Sequence, residues 1–369
     1  MNGRLDDTLD LHKAWYNREE TTRPVLAINI GFWANERFPR TMKSLPDREI
    51  KPEDLDDELY VQDADDLYEL QKGFGDYPFV AAANTAMCWI EAIMGCPVFA
   101  RYSSSSIWAE PAVSSWDEFS FEPPDLSKNL WMEKLLEQTE ALVKHADGRY
   151  QVAPTLMRGP SDILTAIRGG TNLPLDFYDV PETIQRAAEV VAEVHMAVGK
   201  AQLELIPESD DGYIAGDAAL KGWAPRKQIW LQEDAMALMN PTTYSNIFYP
   251  IDCKIAAAFD DCIFHLHGTA LWGIDELVQI PDLYAIELNR EDASCDLPGT
   301  LEGWHKIQAH KPLVIWRKYG TDDFEAWLKE ILDSYPKEGL SVQVATAGLE
   351  ESEVVRSAWN REMKERGWV

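Results

Sequence analysis

From residue 150 onward, short apolar segments alternate with longer amphipathic ones, and this alternation leaves few architectures open. Segments 150–157, 228–232, 262–267, 283–288, 312–316 and 340–345 have the composition of strands. Runs 181–205, 241–259, 270–278, 300–309, 322–334 and 352–366 read as helices. In the longest, Ala187, Val190, Val191, Val194 and Val198 lay an apolar stripe at helical spacing. Short buried strands that alternate with helices indicate parallel βαβ units. Segment 24–31 reads as the first strand, and 97–101 lies in a second. The count comes to about eight strands, which favours a closed (β/α)8 TIM barrel over an open doubly wound sheet. No G-x-G-x-x-G follows the first strand, which argues against a dinucleotide-binding fold. The charged, proline-rich 37–75 and the serine-rich 102–126 read as long loops that elaborate the barrel. With no linker or repeat visible, 1–369 is expected to form one domain, with 1–23 as an N-terminal helical extension.

The formal charge of −29 argues against nucleic acid and anionic membranes as partners, since a chain that repels phosphate gains nothing from counterion release. Five cysteines (Cys88, Cys96, Cys253, Cys262 and Cys295) include no C-x-x-C pair, so neither a disulfide framework nor a cysteine-only zinc site is expected. No secretory signal or membrane-spanning run is visible, and a cytoplasmic location is the expectation.

One strand candidate carries chemistry. Cys262-Ile263-Phe264-His265-Leu266-His267-Gly268 ends in two histidines one residue apart. Side chains at i and i+2 of a strand share a face, so both imidazoles leave the strand end together. In a barrel that end carries the active site. Such a pair can hold a metal, move protons or bind an anion.

The stretch Met157-Arg158-Gly159-Pro160 to Arg168-Gly169-Gly170, followed by Leu175-Asp176-Phe177-Tyr178-Asp179-Val180-Pro181-Glu182, resembles a signature of the uroporphyrinogen decarboxylase superfamily. Segments 232–234, 249–250, 264–268 and 280–286 are similar to the same superfamily, so the resemblance runs from about Pro24 onward. It implies a (β/α)8 barrel and either tetrapyrrole decarboxylation or cobalamin-linked methyl transfer. The loop after the first strand lacks the arginine-rich Arg-x-x-Gly-Arg of true decarboxylases, having only Arg37 and Arg40, with Glu36 beside them. This places the chain nearer the methyltransferase-like members. Thiol methyltransferases of the superfamily hold zinc by His-x-Cys and a later cysteine. Here His265 matches the histidine, His267 replaces the cysteine, and Leu349 stands at the later cysteine's place. The resemblance thus implies zinc on His265 and His267, completed by Glu287 or Glu350. A nitrogen-and-oxygen ligand set is harder than a thiolate set and suits an oxygen or nitrogen substrate.

Glu233 and Asp234, at the end of strand 229–232, are candidate acids alongside the two histidines. Asp234 also suits a helix N-cap. Trp33, Asn35 and Glu36 after the first strand, Trp108, and Trp316 after the seventh are candidates to wall a substrate. Arg317 is a candidate carboxylate contact. Asp162 and Arg168 read as structural, and the remaining histidines as solvated or satisfied.

The reading that results is a methyltransferase. It moves a methyl group from a small O- or N-methyl substrate to a corrinoid (cobalamin) held by a partner protein, with zinc assisting. A cobalamin-independent lyase or decarboxylase acting on a small carboxylate is the alternative, and it needs Arg37, Arg317 and a protonated His267 in the barrel. A third reading is a barrel that only binds a ligand. Whether the chain forms a homo-oligomer is left open by the sequence.

Overall fold

The computed structural model describes residues 8–209, 211–216, 220–289, 297–320 and 323–368. Cys295 and the first seven residues of the N-terminal extension lie outside the described residues; the extension's helix is Leu9–Asn17.

The strands are β1 (Val25–Ile30), β2 (Val80–Ala82), β3 (Val98–Arg101), β4 (Ser106–Ala109), β5 (Gln151–Ala153) and β6 (Tyr213–Gly216). They continue as β7 (Lys221–Ala224), β8 (Gln228–Gln232), β9 (Asp261–Leu266), β10 (Leu283–Asn289), β11 (Leu313–Lys318) and β12 (Leu340–Thr346). Six of them form one parallel sheet in the order β1-β12-β11-β10-β9-β8. β2 and β5 form a second parallel pair. The molecule is therefore α/β with parallel strands and helical crossovers. Among the described residues, no backbone ladder joins the six-stranded sheet to the pair.

Alternation along the strands nevertheless gives both sheets a common interior. Val25 and Ala27 of β1, Val80 and Ala82 of β2, Ala153 of β5, Trp230, Ile263, Ala285 and Val314 pack in one apolar cluster. Their neighbours Leu26, Ile28, Ile229, Leu231, Phe264, Ile286, Leu288 and Ile315 face the other way, into the layer shared with the helices. The antiparallel hairpin β6–β7 adds Ile214, Ala215 and Trp223 to the interior cluster. Gln228, the first residue of β8, donates from Nε2 to the carbonyls of Tyr213 and Gly222, and Lys221 N donates to Gln343 Oε1. Hairpin β6–β7 and helix Leu9–Asn17 thus cover the end where the strands begin. No described helix is long and apolar enough to cross a membrane.

Two sequence expectations are corrected. Residues 98–101 pair antiparallel with β4 in a hairpin, and the second parallel strand is instead β2. Its three residues, Val-Ala-Ala, are too few and too small to show a strand pattern. Segment 37–75 holds a regular helix, Asp57–Gln71, capped by the Asp56 side chain on Glu58 N and Leu59 N. Its many acids weaken the apolar signal of the buried Tyr60, Ala64 and Leu67.

Candidate metal centre and active site

Register assembles the site. In the β9–β10 ladder His265 stands opposite Glu287, and in the β8–β9 ladder Gln232 stands opposite His265. Ile263 and Ala285 belong to the interior cluster, so His265, His267, Glu287 and Asn289 continue that inward face toward the strand ends. Glu287 is fully buried and binds His265 Nδ1 in a short hydrogen bond. Two residues further along, Asn289 Nδ2 lies 3.5 Å from His267 Nδ1. Each imidazole therefore has one nitrogen engaged by the neighbouring strand.

The other nitrogens meet Asp234, just beyond β8. Its Oδ1 lies 3.7 Å from His265 Nε2 and 3.3 Å from His267 Nε2. One ligand atom from each of Asp234, His265 and His267 lies within 4.8 Å of the others. Zinc–ligand bonds of ~2.0–2.2 Å put neighbouring tetrahedral ligands about 3.3–3.6 Å apart, close to the two distances found here. A histidine ligand normally donates its second N–H to a carboxylate or carbonyl, as His265 does to Glu287. The donor set therefore fits a divalent ion, with two imidazole nitrogens and one carboxylate oxygen as ligands. Two histidines and one carboxylate suit zinc or iron(II).

Acids lie behind Asp234. Asp162 accepts from Asp234 N at 3.1 Å and Ala235 N at 2.6 Å. Burial pushes its carboxyl well above the ordinary range, and the charge of Asp234 adds to the shift. Burial also acts to raise Asp234, but a hydrogen bond from His267 and the nearby His265 and Arg158 hold it below the ordinary carboxylate value. Glu233 turns away from the histidines. Its Oε2 accepts from Ser161 N at 2.9 Å and from Ser161 Oγ. Burial, then Asp252 and Asp162, push it well above the usual carboxylate range. Asp252 is pushed up to about 7 by burial, against hydrogen bonds from Tyr244 and Glu233. Gly159 packs so closely here that a Cβ would lie 2.0 Å from Gln232 O.

The other sequence candidates are dispersed. Glu350 is exposed in the first turn of helix Leu349–Arg366 and is not in the ligand group. Glu287 reaches the histidines, but on the Nδ1 side of His265. Glu36 accepts from Phe32 N and Trp33 N, and so caps helix Ala34–Arg37. Asn35 N donates to Ser105 Oγ, and Trp108 Nε1 to Glu110 Oε1 on an exposed hairpin. Trp33 is 48% exposed and Trp316 is buried, with Phe32 between them. Arg317 points outward, its guanidinium 4.5 Å from the Trp327 ring centre, so the lyase reading loses that cation. Of the remaining histidines, His195 is buried with neither ring nitrogen hydrogen-bonded among the described residues, contrary to its expected satisfaction.

Three neighbours of the site escaped sequence reasoning: Asn289, Gln232 and Arg158. The first two are recognisable only once register is known. Arg158 stands 3.2 Å from Glu91 Oε1 and donates to Cys88 Sγ at 3.1 Å.

The fold is similar to that of a solved methyltransferase from Methanosarcina mazei. The TM-score is 0.63 over 95% of this chain and 97% of that one, at 13% sequence identity. No family model matches the chain, and no curated protein matches it by sequence.

Proposed function

We propose that the chain is a metal-dependent methyltransferase that takes a methyl group from a small O- or N-methyl compound and passes it to a corrinoid on a separate carrier protein. The observation that carries this reading is the Asp234–His265–His267 group at the open strand ends, with Glu287 behind it. The fold likeness to a protein titled a methyltransferase supports it. We also read the two parallel sheets as one eight-stranded barrel, because their inward residues share a single cluster.

A divalent ion held there would act as a Lewis acid on the substrate oxygen or nitrogen, which is otherwise a poor leaving group. Glu287 accepts the Nδ1–H of His265, which keeps Nε2 free of a proton and aimed at the opening. Asp234 supplies the negative ligand and is fixed by backbone N–H bonds to Asp162. Trp230, with its ring centre 6.3 Å from that of His265, closes the floor beneath the site. When bound, a cobalt(I) corrinoid would supply the electron pair that takes the methyl group, and the heteroatom would keep its bonding pair and take a proton from water. Exposed Trp33, Leu238 and Leu349 follow β1, β8 and β12, and offer the carrier an apolar rim.

Metal analysis of the purified protein beside Asp234→Ala, His265→Ala and His267→Ala tests the reading. About one zinc or iron per chain in the parent, lost in all three variants, is the expected result. A parent that neither carries nor takes up a divalent metal overturns it. Methyl transfer to corrinoid proteins is then assayed on the loaded enzyme.

A further inference from the structure

The interior layer that contains His267 extends to a third strand. Trp316 of β11 stands in register with Asn289 of β10, and Val314, on the same face of β11, lies in the interior cluster. Arg317 points the opposite way, onto Trp327. The indole of Trp316 is therefore turned inward, in the layer of His267 and Asn289. Phe32 packs against it at 5.3 Å between ring centres and limits its movement.

Both neighbours are buried and incompletely bonded. Trp316 is 8% exposed and Asn289 7%. Among the described residues, Trp316 Nε1 and Asn289 Oδ1 have no hydrogen-bond partner. Two such atoms on residues paired across one ladder call for an explanation, and a ligand supplies one. The partner that Asn289 has decides which ligand. When His267 binds a metal through Nε2, its Nδ1 carries the proton and donates. Asn289 would then meet Nδ1 with its carbonyl oxygen, which gives Oδ1 its partner and turns the NH2 group away from His267. The amide N–H and the indole N–H then belong to two residues that are paired across the β10–β11 ladder and share its inward face. Two N–H donors match an oxygen that has lone pairs and no proton.

We propose that Trp316 and Asn289 form an oxyanion subsite beside the metal group and that it binds a carboxylate of the substrate. The inference rests on the metal-site reading above and narrows the substrate to a small methylated carboxylic acid. Trp316 is then a positioning residue that acts through its N–H.

The test is a nitrogen-15 spectrum of the indole N–H groups, recorded on zinc-loaded protein. Trp316→Phe keeps the ring, removes the donor and identifies the Trp316 signal by its loss. Acetate is the probe, with acetamide and tetramethylammonium as neutral and cationic controls. The Trp316 signal is expected to move downfield and saturate with acetate only. Calorimetry is expected to show acetate binding weakened roughly ten- to hundredfold in Trp316→Phe. The other indole signals report whether that variant keeps its fold. The proposal is overturned if acetate leaves the Trp316 signal in place, if tetramethylammonium moves it equally, or if Trp316→Phe binds acetate as the parent does. Zinc content, measured on the same samples, separates the two readings. A moving indole signal without zinc keeps Trp316 as an anion contact but overturns the metal and, with it, the part given to Asn289, whereas bound zinc with a silent indole keeps the metal and overturns the subsite.

Discussion

Imidazoles are buried at both ends of the strand interior, in opposite surroundings. At the covered end His12 sits 4.3 Å from Tyr77 and 6.3 Å from Trp223, ring centre to ring centre, with Nε2 3.2 Å from the Asp76 carbonyl. Burial lowers its pKa to about 4, so at neutral pH it is an uncharged filler between aromatic rings. At the open end His265 and His267 face Glu287, Asp234 and Asn289. The same side chain is structural where only rings and a carbonyl surround it. It is chemically equipped where neighbouring residues bring a carboxylate or an amide to each of its nitrogens.

The largest effect that would sharpen this contrast concerns packing. At the open end Gly159→Ala puts a methyl 2.0 Å from the Gln232 carbonyl, against backbone that cannot move aside. We expect a loss of about 3 kcal/mol in urea unfolding. At the covered end Gly222→Ala meets Tyr284 Oη at 2.7 Å and Ile263 Cδ1 at 2.8 Å. Those are side-chain atoms that can shift, and we expect about 1 kcal/mol. Equal losses would remove the distinction.

Acid is the next probe. The pKa of His12 falls from 6.5 unfolded to about 4 folded, so between these values the unfolded chain binds more protons. The stability is complete above pH 6.5 and is lost as pH falls toward 4. The shift corresponds to about 3 kcal/mol at most. His12→Phe should flatten this part of the stability–pH curve, and a curve of unchanged slope would show that His12 takes up its proton while folded.

At the open end Glu287→Gln keeps a hydrogen-bond acceptor and removes its charge. Zinc affinity, read by chelator competition, should drop roughly ten- to hundredfold. Unfolding should hardly change, and undiminished affinity would show that Glu287 does not support the ligand. The smallest effect is expected on the rim, where Trp33→Ala should alter folding stability by no more than about 0.5 kcal/mol. On the methyl-transfer reading, carrier-dependent turnover should nevertheless slow, and an unchanged rate would remove Trp33 from the rim.

Much of the open end was legible because short apolar runs between amphipathic helices announce buried strands. The spacing of His265 and His267 set their common face, and β8 to β12 fall within two residues of the segments read from composition. What escaped depends on pairing between strands. Asn289 reads as an ordinary strand-end residue until the ladder sets it near His267. Glu287 and Asp234 were both legible as acids, but only geometry puts Asp234 on the Nε2 side and Glu287 on the Nδ1 side. Arg317 misleads for a simpler reason: the strand continues past Trp316, and alternation turns the next residue outward. β2 was missed because Val-Ala-Ala has almost no pattern to read.

On the barrel reading proposed above, the hairpin β6–β7, lodged in the interior with Trp223 in its core, stops one end of the strand bundle and leaves one mouth. On that reading anything small would enter and leave where a carrier protein would also settle. On the methyl-transfer reading the two visitors cannot come and go independently. The methyl donor must be inside before the carrier seals the rim, and the demethylated product stays captive until the carrier departs. Turnover is then paced by the parting of two proteins, and an excess of carrier should slow the enzyme that depends on it.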